Sequence, residues 1–170
     1  PHIYLAFSCP LALGQESLCE SCEVKTEEES PNYDAWAEAL RPALPEGLRL
    51  VSIGPAVMKM GRIQAADYTI TLPADAAQAL DAYNAQQSVL VEKKTKSGKK
   101  QLDLKQYIPS VSYTVKENQA SFAIRLPAGD ALNLNPALLV GYLQEQYGLP
   151  AWQCHILRTR IYAEDGKEFR

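Results

Sequence analysis

The chain has 170 residues, with 17 Lys and Arg against 20 Asp and Glu and a formal net charge of −3. Its hydrophobic fraction of 46% and its modest charge argue against a disordered chain, and no apolar run approaches the ~20 residues that a membrane-spanning helix needs. Because no secretory signal is present, we expect a soluble, cytoplasmic protein with no membrane partner. The chain opens on Pro1 directly before strand-like sequence, so we expect the natural protein to continue upstream.

The first part of the chain, residues 1–62, predicts a β-β-α-β arrangement. Short strands are expected at residues 3–7 and 18–24, with a turn at Gly14 between them. The last strand of this part is expected over residues 48–53, where "LRLVSI" follows a helix that ends at "LPEG". This order predicts a small sheet with one helix.

The helix of this part has a start signal and an apolar stripe. Ser30 is a suitable N-cap, and Pro31 then occupies the first helical position. The stripe follows the spacing of one helix face and consists of Tyr33, Trp36, Ala37, Leu40 and Leu44.

The remainder, residues 63–170, predicts a ferredoxin-like half. The expected elements are a strand at 66–72, a helix from Pro73 to about Gln86, a hairpin of 88–93 and 101–108 with Gly98 at its tip, a second hairpin around 117–119, a helix from Asn135 to Gly148 and a strand at 154–164. This order indicates an α+β fold, a split β-α-β sandwich with helices on one face of an antiparallel sheet. We expect both parts to form one compact unit.

Three stretches resemble one known family. "PHIYLAFSCPLALGQESLCESCEV" resembles its first motif, "KKTKSGKKQLDLKQYI" its basic turn and "ILRTRIY" its closing strand. On these motifs the chain resembles the radical SAM-linked proteins, a bacterial domain family of unknown function. The matching positions of the first motif are Pro10, Gly14, Ser17, Glu20 and Glu23.

The resemblance implies a partner rather than a reaction. Members of that family occur beside, or fused to, a radical SAM protein that often binds cobalamin, which suggests a role in RNA or cofactor modification. Glu23 stands where an Asp is usual, and its longer reach argues against a strict metal geometry there. We expect the segment from Gly14 to Glu23 to shape a pocket or docking groove.

Four cysteines raise the question of a metal. The possible zinc ligands are Cys19, Cys22, Cys154 and His155. However, Cys19 and Cys22 lie in a predicted strand, where residues three apart point to opposite faces. The chain also lacks the C-x3-C-x2-C spacing of a radical SAM cluster. We therefore expect ordinary thiols, no disulfides in the cytoplasm, and no cofactor in this chain.

Charge is concentrated in the first predicted hairpin. Between Val91 and Lys105, six lysines face only Glu92 and Asp103, a balance of +4, so the net charge of −3 leaves −7 for the rest of the chain. Such lysines can neutralise phosphates, dock on an acidic protein or simply discourage edge pairing. Asp103 is expected to pair with one of the lysines. The candidate binding residues are Lys93, Lys94, Lys96, Lys99, Lys100, Asp103 and Lys105.

Two arginines form another candidate site. By strand alternation Arg158 and Arg160 share a face, where they could grip a phosphate or carboxylate. The competing interpretation is that both lie at the sheet edge and pair with glutamates.

These observations leave three functions open. The first is a non-catalytic accessory domain of a radical SAM enzyme, with no catalytic residue of its own. The second is a module that binds a tRNA-like RNA through the basic hairpin. The third is a metal-dependent enzyme that uses Glu20, Glu23 or His155.

Overall fold

The computed structural model describes residues 4–95 and 98–170, and over this part the chain is a mixed α+β structure. Its helices and strands are β1 (Leu5–Phe7), β2 (Glu16–Ser17), β3 (Cys22–Val24), α1 (Tyr33–Leu40), β4 (Ile63–Pro73), α2 (Ala76–Ala85), β5 (Leu90–Thr95), β6 (Gly98–Asp103), β7 (Thr114–Lys116), β8 (Gln119–Pro127), α3 (Ala137–Tyr147) and β9 (His155–Ala163).

The main sheet has the strand order β2-β9-β4-β8-β7. Neighbouring strands are antiparallel, except that β2 runs parallel to β9. Along the chain, β4, α2, β7, β8, α3 and β9 follow the β-α-β-β-α-β order of a ferredoxin-like fold. The predicted α+β class is therefore confirmed, and the lysine-rich strands β5 and β6 are an insertion that pairs in a separate two-stranded sheet.

One face of the main sheet forms the core. On β4 every second residue is buried, as the alternating sequence predicts. Ile70 and Leu72 of this face join one apolar cluster with Leu80 of α2 and Leu143 of α3. Both helices thus cover the same face, and the opposite face carries the polar residues of β4.

A β-bulge interrupts the pairing of β4 with β9. Asp67 pairs with Arg160, whereas the next residue, Tyr68, pairs with Arg158. Thr159 is the extra residue, so side chains before and after it exchange faces. This shift decides where the two arginines of β9 point.

The outer edge of β9 is covered by β2 from the N-terminal part of the chain and by residues near its C-terminus. β2 pairs in parallel with Leu157 and Arg158. Beyond them, the backbone amide of Phe169 donates to the carbonyl of Ile161. The N-terminal segment is therefore attached to β9, the last strand in the chain.

Helix α1 begins two residues later than predicted. Its N-cap is Asn32, whose side-chain oxygen accepts from the amide of Ala35 at 3.0 Å, so the predicted cap Ser30 is wrong. The helix continues as a 3-10 turn at 41–43 that contains Pro42. Proline lacks the amide that a further α-helical turn needs, which explains the early end.

Two strand predictions in the first part are wrong. Residues 48–53 have a strand-like apolar composition but no ladder partner, and Leu48 and Val51 are exposed in a loop. The expected strand over 18–24 forms only at its end, as β3, which pairs with β1. Propensity alone does not supply the neighbouring strand that a ladder requires.

Both predicted hairpins form with shifted bounds. The second turns at Glu117 and Asn118, whose φ values of 49° and 62° are those of a tight type I′ turn. In the first, the return strand ends at Asp103 and a 3-10 helix covers 104–106, so its predicted extension to residue 108 is wrong. Gly148, at φ 69°, ends α3 as expected.

Over residues 4–95 and 98–170, none of the helices has the length and apolar character needed to cross a membrane.

Candidate functional site

The family-motif segment is held by a buried arginine. Arg158 of β9 is only 4% exposed, and its Nη1 donates to Glu20 Oε1 at 2.7 Å and to the carbonyl of Cys9 at 2.6 Å. Its guanidinium carbon lies 5.7 Å from the ring centre of Tyr68. We call Arg158, Glu20, Cys9 and Tyr68 the Arg158 cluster.

Burial sets the protonation states in this cluster. Burial opposes the charge of Arg158, but Tyr68, Cys9 and Glu20 outweigh it and raise its pKa further. Burial raises the pKa of the Cys9 thiol and of the Tyr68 hydroxyl. The cluster therefore holds a permanent cation beside neutral thiol and phenol groups, which suits structural attachment better than nucleophilic catalysis.

Other residues of the family motif help to attach this segment to strand β9. Gly14 adopts φ +79°, a conformation that favours glycine, at the turn before β2. Ser17 pairs with Arg158 in the β2–β9 ladder, and its hydroxyl accepts from the amide of Cys19 at 3.2 Å. Pro10 is exposed beside the buried Cys9. The motif thus places Glu20 against the sheet.

Glu23 does not join this cluster. It is half-buried on β3, where it pairs with Ala6. It lines a shallow depression together with Tyr4, Met58 and Met60. The structure therefore assigns the two motif glutamates different surroundings, with Glu20 on the arginine and Glu23 at an open groove.

The expectation that Arg158 and Arg160 share a face is wrong. The bulge at Thr159 places Arg158 in the core and Arg160 on the opposite, exposed face. Each has its own carboxylate neighbour, since Arg158 binds Glu20 and Arg160 pairs with Asp67 in the strand register. A joint anion grip by both arginines is therefore excluded in this structure.

Among the residues that the structure describes, the cysteines and His155 do not form a metal site. Within residues 4–95 and 98–170, no three His, Cys, Asp or Glu side chains are placed to hold a metal ion together. Cys22 is exposed on β3, and His155 is exposed at the start of β9. The Cys154 thiol donates to the carbonyl of Pro150, and burial raises the pKas of Cys154 and Cys19. The zinc hypothesis gains no support from this placement.

The lysines form a ribbon of opposed pairs. We call β5 and β6 the lysine hairpin. Lys93 lies directly opposite Lys100 on one face, and Lys94 opposite Lys99 on the other. Residue Lys96 lies outside the described residues.

The root of the lysine hairpin packs on the body of the protein. Val91 and Leu102 contact the apolar core. The Nζ of Lys93 donates to the carbonyl of Asn133 at 2.5 Å. On the other face, Lys99 binds the exposed Glu92 at 2.6 Å.

Two predicted binding residues of this segment are structural. Asp103 was expected to pair with a lysine, but its carboxylate accepts from the amides of Val89 at 2.8 Å and Lys105 at 3.0 Å. The Nζ of Lys105 donates to the carbonyls of Tyr83 at 3.0 Å and Pro109 at 2.7 Å. Asp103 therefore joins the two ends of the hairpin, and Lys105 fixes the residues that follow it to the end of α2.

A further polar cluster contains residues that the sequence does not single out. On the open face of the sheet, Arg125 binds Asp67 through two hydrogen bonds of 2.6 and 2.9 Å. The Tyr162 hydroxyl donates to the same carboxylate at 2.9 Å, and the Arg125 guanidinium lies 4.0 Å above the Tyr162 ring. We call these three residues the Asp67–Arg125 cluster. The sequence signal for this cluster is Asp67, an aspartate at a polar position of the alternating strand β4.

Comparison with protein families identifies one match. Residues 1–136 match the family described as an uncharacterized protein conserved in bacteria (DUF2344). Because this match covers most of the chain, the protein belongs to that family, which confirms the expected uncharacterised bacterial family. The radical SAM link stays a prediction. Searches of curated proteins and of solved structures give no match to the chain.

Proposed function

We propose that this chain is a non-catalytic accessory domain that holds RNA for a radical SAM enzyme, and that the lysine hairpin is its RNA-binding element. The enzyme class is suggested by the sequence motifs that resemble radical SAM-linked proteins. The binding role is supported by the structure of the Arg158 cluster, whose buried arginine is already bound to Glu20, and by the exposed lysines of the hairpin.

The opposed lysine pairs carry the proposal. Like charges directly opposite each other destabilise a strand pair, and here two such pairs, Lys93 with Lys100 and Lys94 with Lys99, follow one another. The salt bridge from Lys99 to Glu92 joins two side chains that are each more than half exposed, and such pairs contribute little. Bound phosphates would neutralise this repulsion.

The shape of the hairpin suits a polyanion. Lys94 and Lys99 are exposed on one face of the two-stranded ribbon and Lys100 on the other, where Lys93 is bound to the carbonyl of Asn133. Phosphates of one polyanion can therefore contact exposed lysines around the hairpin. Contacts of this kind position a nucleic acid without reading its sequence. They also release counterions, which makes affinity depend on salt.

The experiment is equilibrium binding of fluorescently labelled bacterial tRNA, followed by anisotropy. The variant Lys94→Gln/Lys100→Gln removes one lysine from each opposed pair. A matched control, Lys25→Gln/Lys116→Gln, removes the same charge at two exposed positions outside the hairpin. We expect the hairpin variant to bind tRNA at least about tenfold more weakly and the control to stay within about twofold of wild type.

Two results would contradict the proposal. If wild-type protein binds no tRNA, the proposed role in holding a tRNA-like RNA is excluded. If the hairpin variant and the control weaken binding equally, only net charge matters and the hairpin has no special role.

A second candidate function, docking on the partner enzyme, is favoured by the small sheet β1–β3. Leu5 pairs with Val24 and Phe7 with Cys22, so these apolar side chains share one face. Leu5, Phe7 and Val24 are each about half exposed. A lone two-stranded sheet is marginally stable, and an exposed apolar patch is typical of a protein interface.

Co-expression with a tagged radical SAM protein encoded beside this chain tests the second candidate. We expect Leu5→Lys/Phe7→Lys to abolish co-purification and Lys94→Gln/Lys100→Gln to leave it unchanged. If wild type and both variants co-purify with the radical SAM protein in equal amounts, this surface is excluded as the docking site.

A further inference from the structure

The Asp67–Arg125 cluster has the geometry of a platform for a flat ligand. We propose that the exposed guanidinium face of Arg125 stacks on an unpaired RNA base. This inference rests on the proposed function and deepens it, since it makes single-stranded rather than fully paired RNA the ligand class.

Arg125 is fixed in one plane from two directions. Asp67 accepts from its Nε and Nη2 in a bidentate pair, and the Tyr162 ring supports it from below. Its side chain is nevertheless 56% exposed. An arginine held in this way loses little conformational entropy on stacking, and guanidinium planes are established stacking partners for unpaired bases.

The surface beside Arg125 leaves room for a base. Ala123, two residues earlier on the same face of β8, is exposed and small. Ala123 and Thr159 line a shallow depression of about 250 Å³ that reaches Arg125 and Asp67. The depression is smaller than the ~300–1,000 Å³ of typical small-molecule sites. It can therefore hold a single base of a longer RNA.

Charge favours a nucleotide at this site. Arg160 lies opposite Asp67 in the strand register and is exposed on the same face as Arg125. Asp67 is already bound by Arg125 and by the Tyr162 hydroxyl. The carboxylate of Glu168 also acts on Arg160, but it is itself paired with Arg170 at 3.5 Å. Three guanidinium groups against two carboxylates leave one surplus positive charge for the phosphate that follows a stacked base.

The binding experiment uses two probes, a labelled ten-nucleotide adenosine RNA and the same strand annealed to its complement. Arg125→Lys keeps the charge but removes the plane. Arg41→Lys, the same change at an exposed position after α1, is the matched control. We expect Arg125→Lys to weaken single-strand binding by about fivefold or more, the low end of a stacked base, with duplex binding unchanged. Arg41→Lys should bind both probes like wild type.

A second measurement does not depend on the variant. In a nitrogen–proton spectrum, the Nε–Hε signal of Arg125 should shift on addition of the single strand, because a stacked base places the guanidinium in its ring current. The duplex should leave this signal in place.

The outcomes separate this inference from the proposed function. If the protein binds neither the single strand nor the duplex, both the stacking inference and the proposed function are overturned. Binding of both probes that depends on Lys94 and Lys100 but not on Arg125, or RNA binding without a shift of the Arg125 signal, overturns the stacking site and leaves the lysine hairpin as the RNA-binding element.

Discussion

Arg158 and Glu20 lie 138 residues apart in the chain, yet Nη1 of the arginine is 2.7 Å from Oε1 of the glutamate. The arginine is buried and the glutamate about one third exposed. Nε of Arg158 is also buried and has no hydrogen-bond partner among the described residues. The hydrogen bonds of Nη1 to Glu20 and to the carbonyl of Cys9 are therefore important for this buried side chain. The contact joins the family-motif segment to the last strand of the sheet.

Removing Glu20 should therefore destabilise the fold through the arginine that remains. We expect Glu20→Ala to lower the free energy of unfolding by roughly 1–3 kcal/mol, less than for a fully buried pair because the carboxylate is partly hydrated. Urea denaturation measures the change, and Glu16→Ala, at an exposed position of β2, is the control.

The same pair makes a second, sharper prediction. In the Glu20→Ala background, Arg158→Met removes the unpaired buried charge and should recover part of the lost stability. A double variant that is as unstable as the sum of the single changes would show that the two residues act independently.

Lys105 should behave differently from the other lysines of its segment. Its ammonium group binds carbonyls at the end of α2 and at Pro109 and lies 4.3 Å from the centre of the Tyr83 ring. We expect Lys105→Met to destabilise the protein by about 1–2 kcal/mol while tRNA affinity stays within about twofold. A stable variant with weakened RNA binding would instead place Lys105 in the binding surface.

Asp103 predicts a pH dependence of stability. The amide of Val89, with that of Lys105 and the Ser88 side chain, holds the pKa of Asp103 below its usual value. Between the lowered folded pKa and the ordinary value near ~3.9, the unfolded chain binds more protons, so stability falls as the pH drops through this window. Urea midpoints at pH 6 and pH 3 should differ less in Asp103→Asn than in wild type. An equal loss in both proteins would assign the effect to other carboxylates.

The four thiols should react at different rates. Cys22 is exposed, whereas Cys9 is 3% exposed and burial raises its pKa. A thiol reagent such as DTNB should modify Cys22 first and Cys9 last in folded protein, with all four reacting together in urea. Early modification of Cys9 would mean that the N-terminal segment detaches readily from β9.

The sequence correctly predicted those elements whose signals lie within a single segment of the chain. The alternation of β4 and the stop of α3 at Gly148 are each contained in one segment, and both predictions are confirmed. Residues 48–53 show the limit of this approach, because their apolar, strand-like sequence has no neighbouring strand to pair with.

The sites were harder to predict because they depend on register. A single extra residue, Thr159, separates Arg158 from Arg160, and nothing in "ILRTRIY" marks that position. The pairing of Asp67 with Arg125 also follows from the alignment of β4 with β8. Lysine content identified the hairpin, but only the fold separates Lys105, which binds α2, from the lysines of the ribbon.

The most direct test of the central claim is the salt dependence of tRNA binding. The slope of log affinity against log salt counts the phosphates that are neutralised, and each lost contact reduces it by about one unit. We predict that Lys94→Gln/Lys100→Gln lowers the slope by about two units relative to wild type, whereas Lys25→Gln/Lys116→Gln leaves it unchanged. A hairpin variant with the wild-type slope would contradict the claim that these lysines contact RNA.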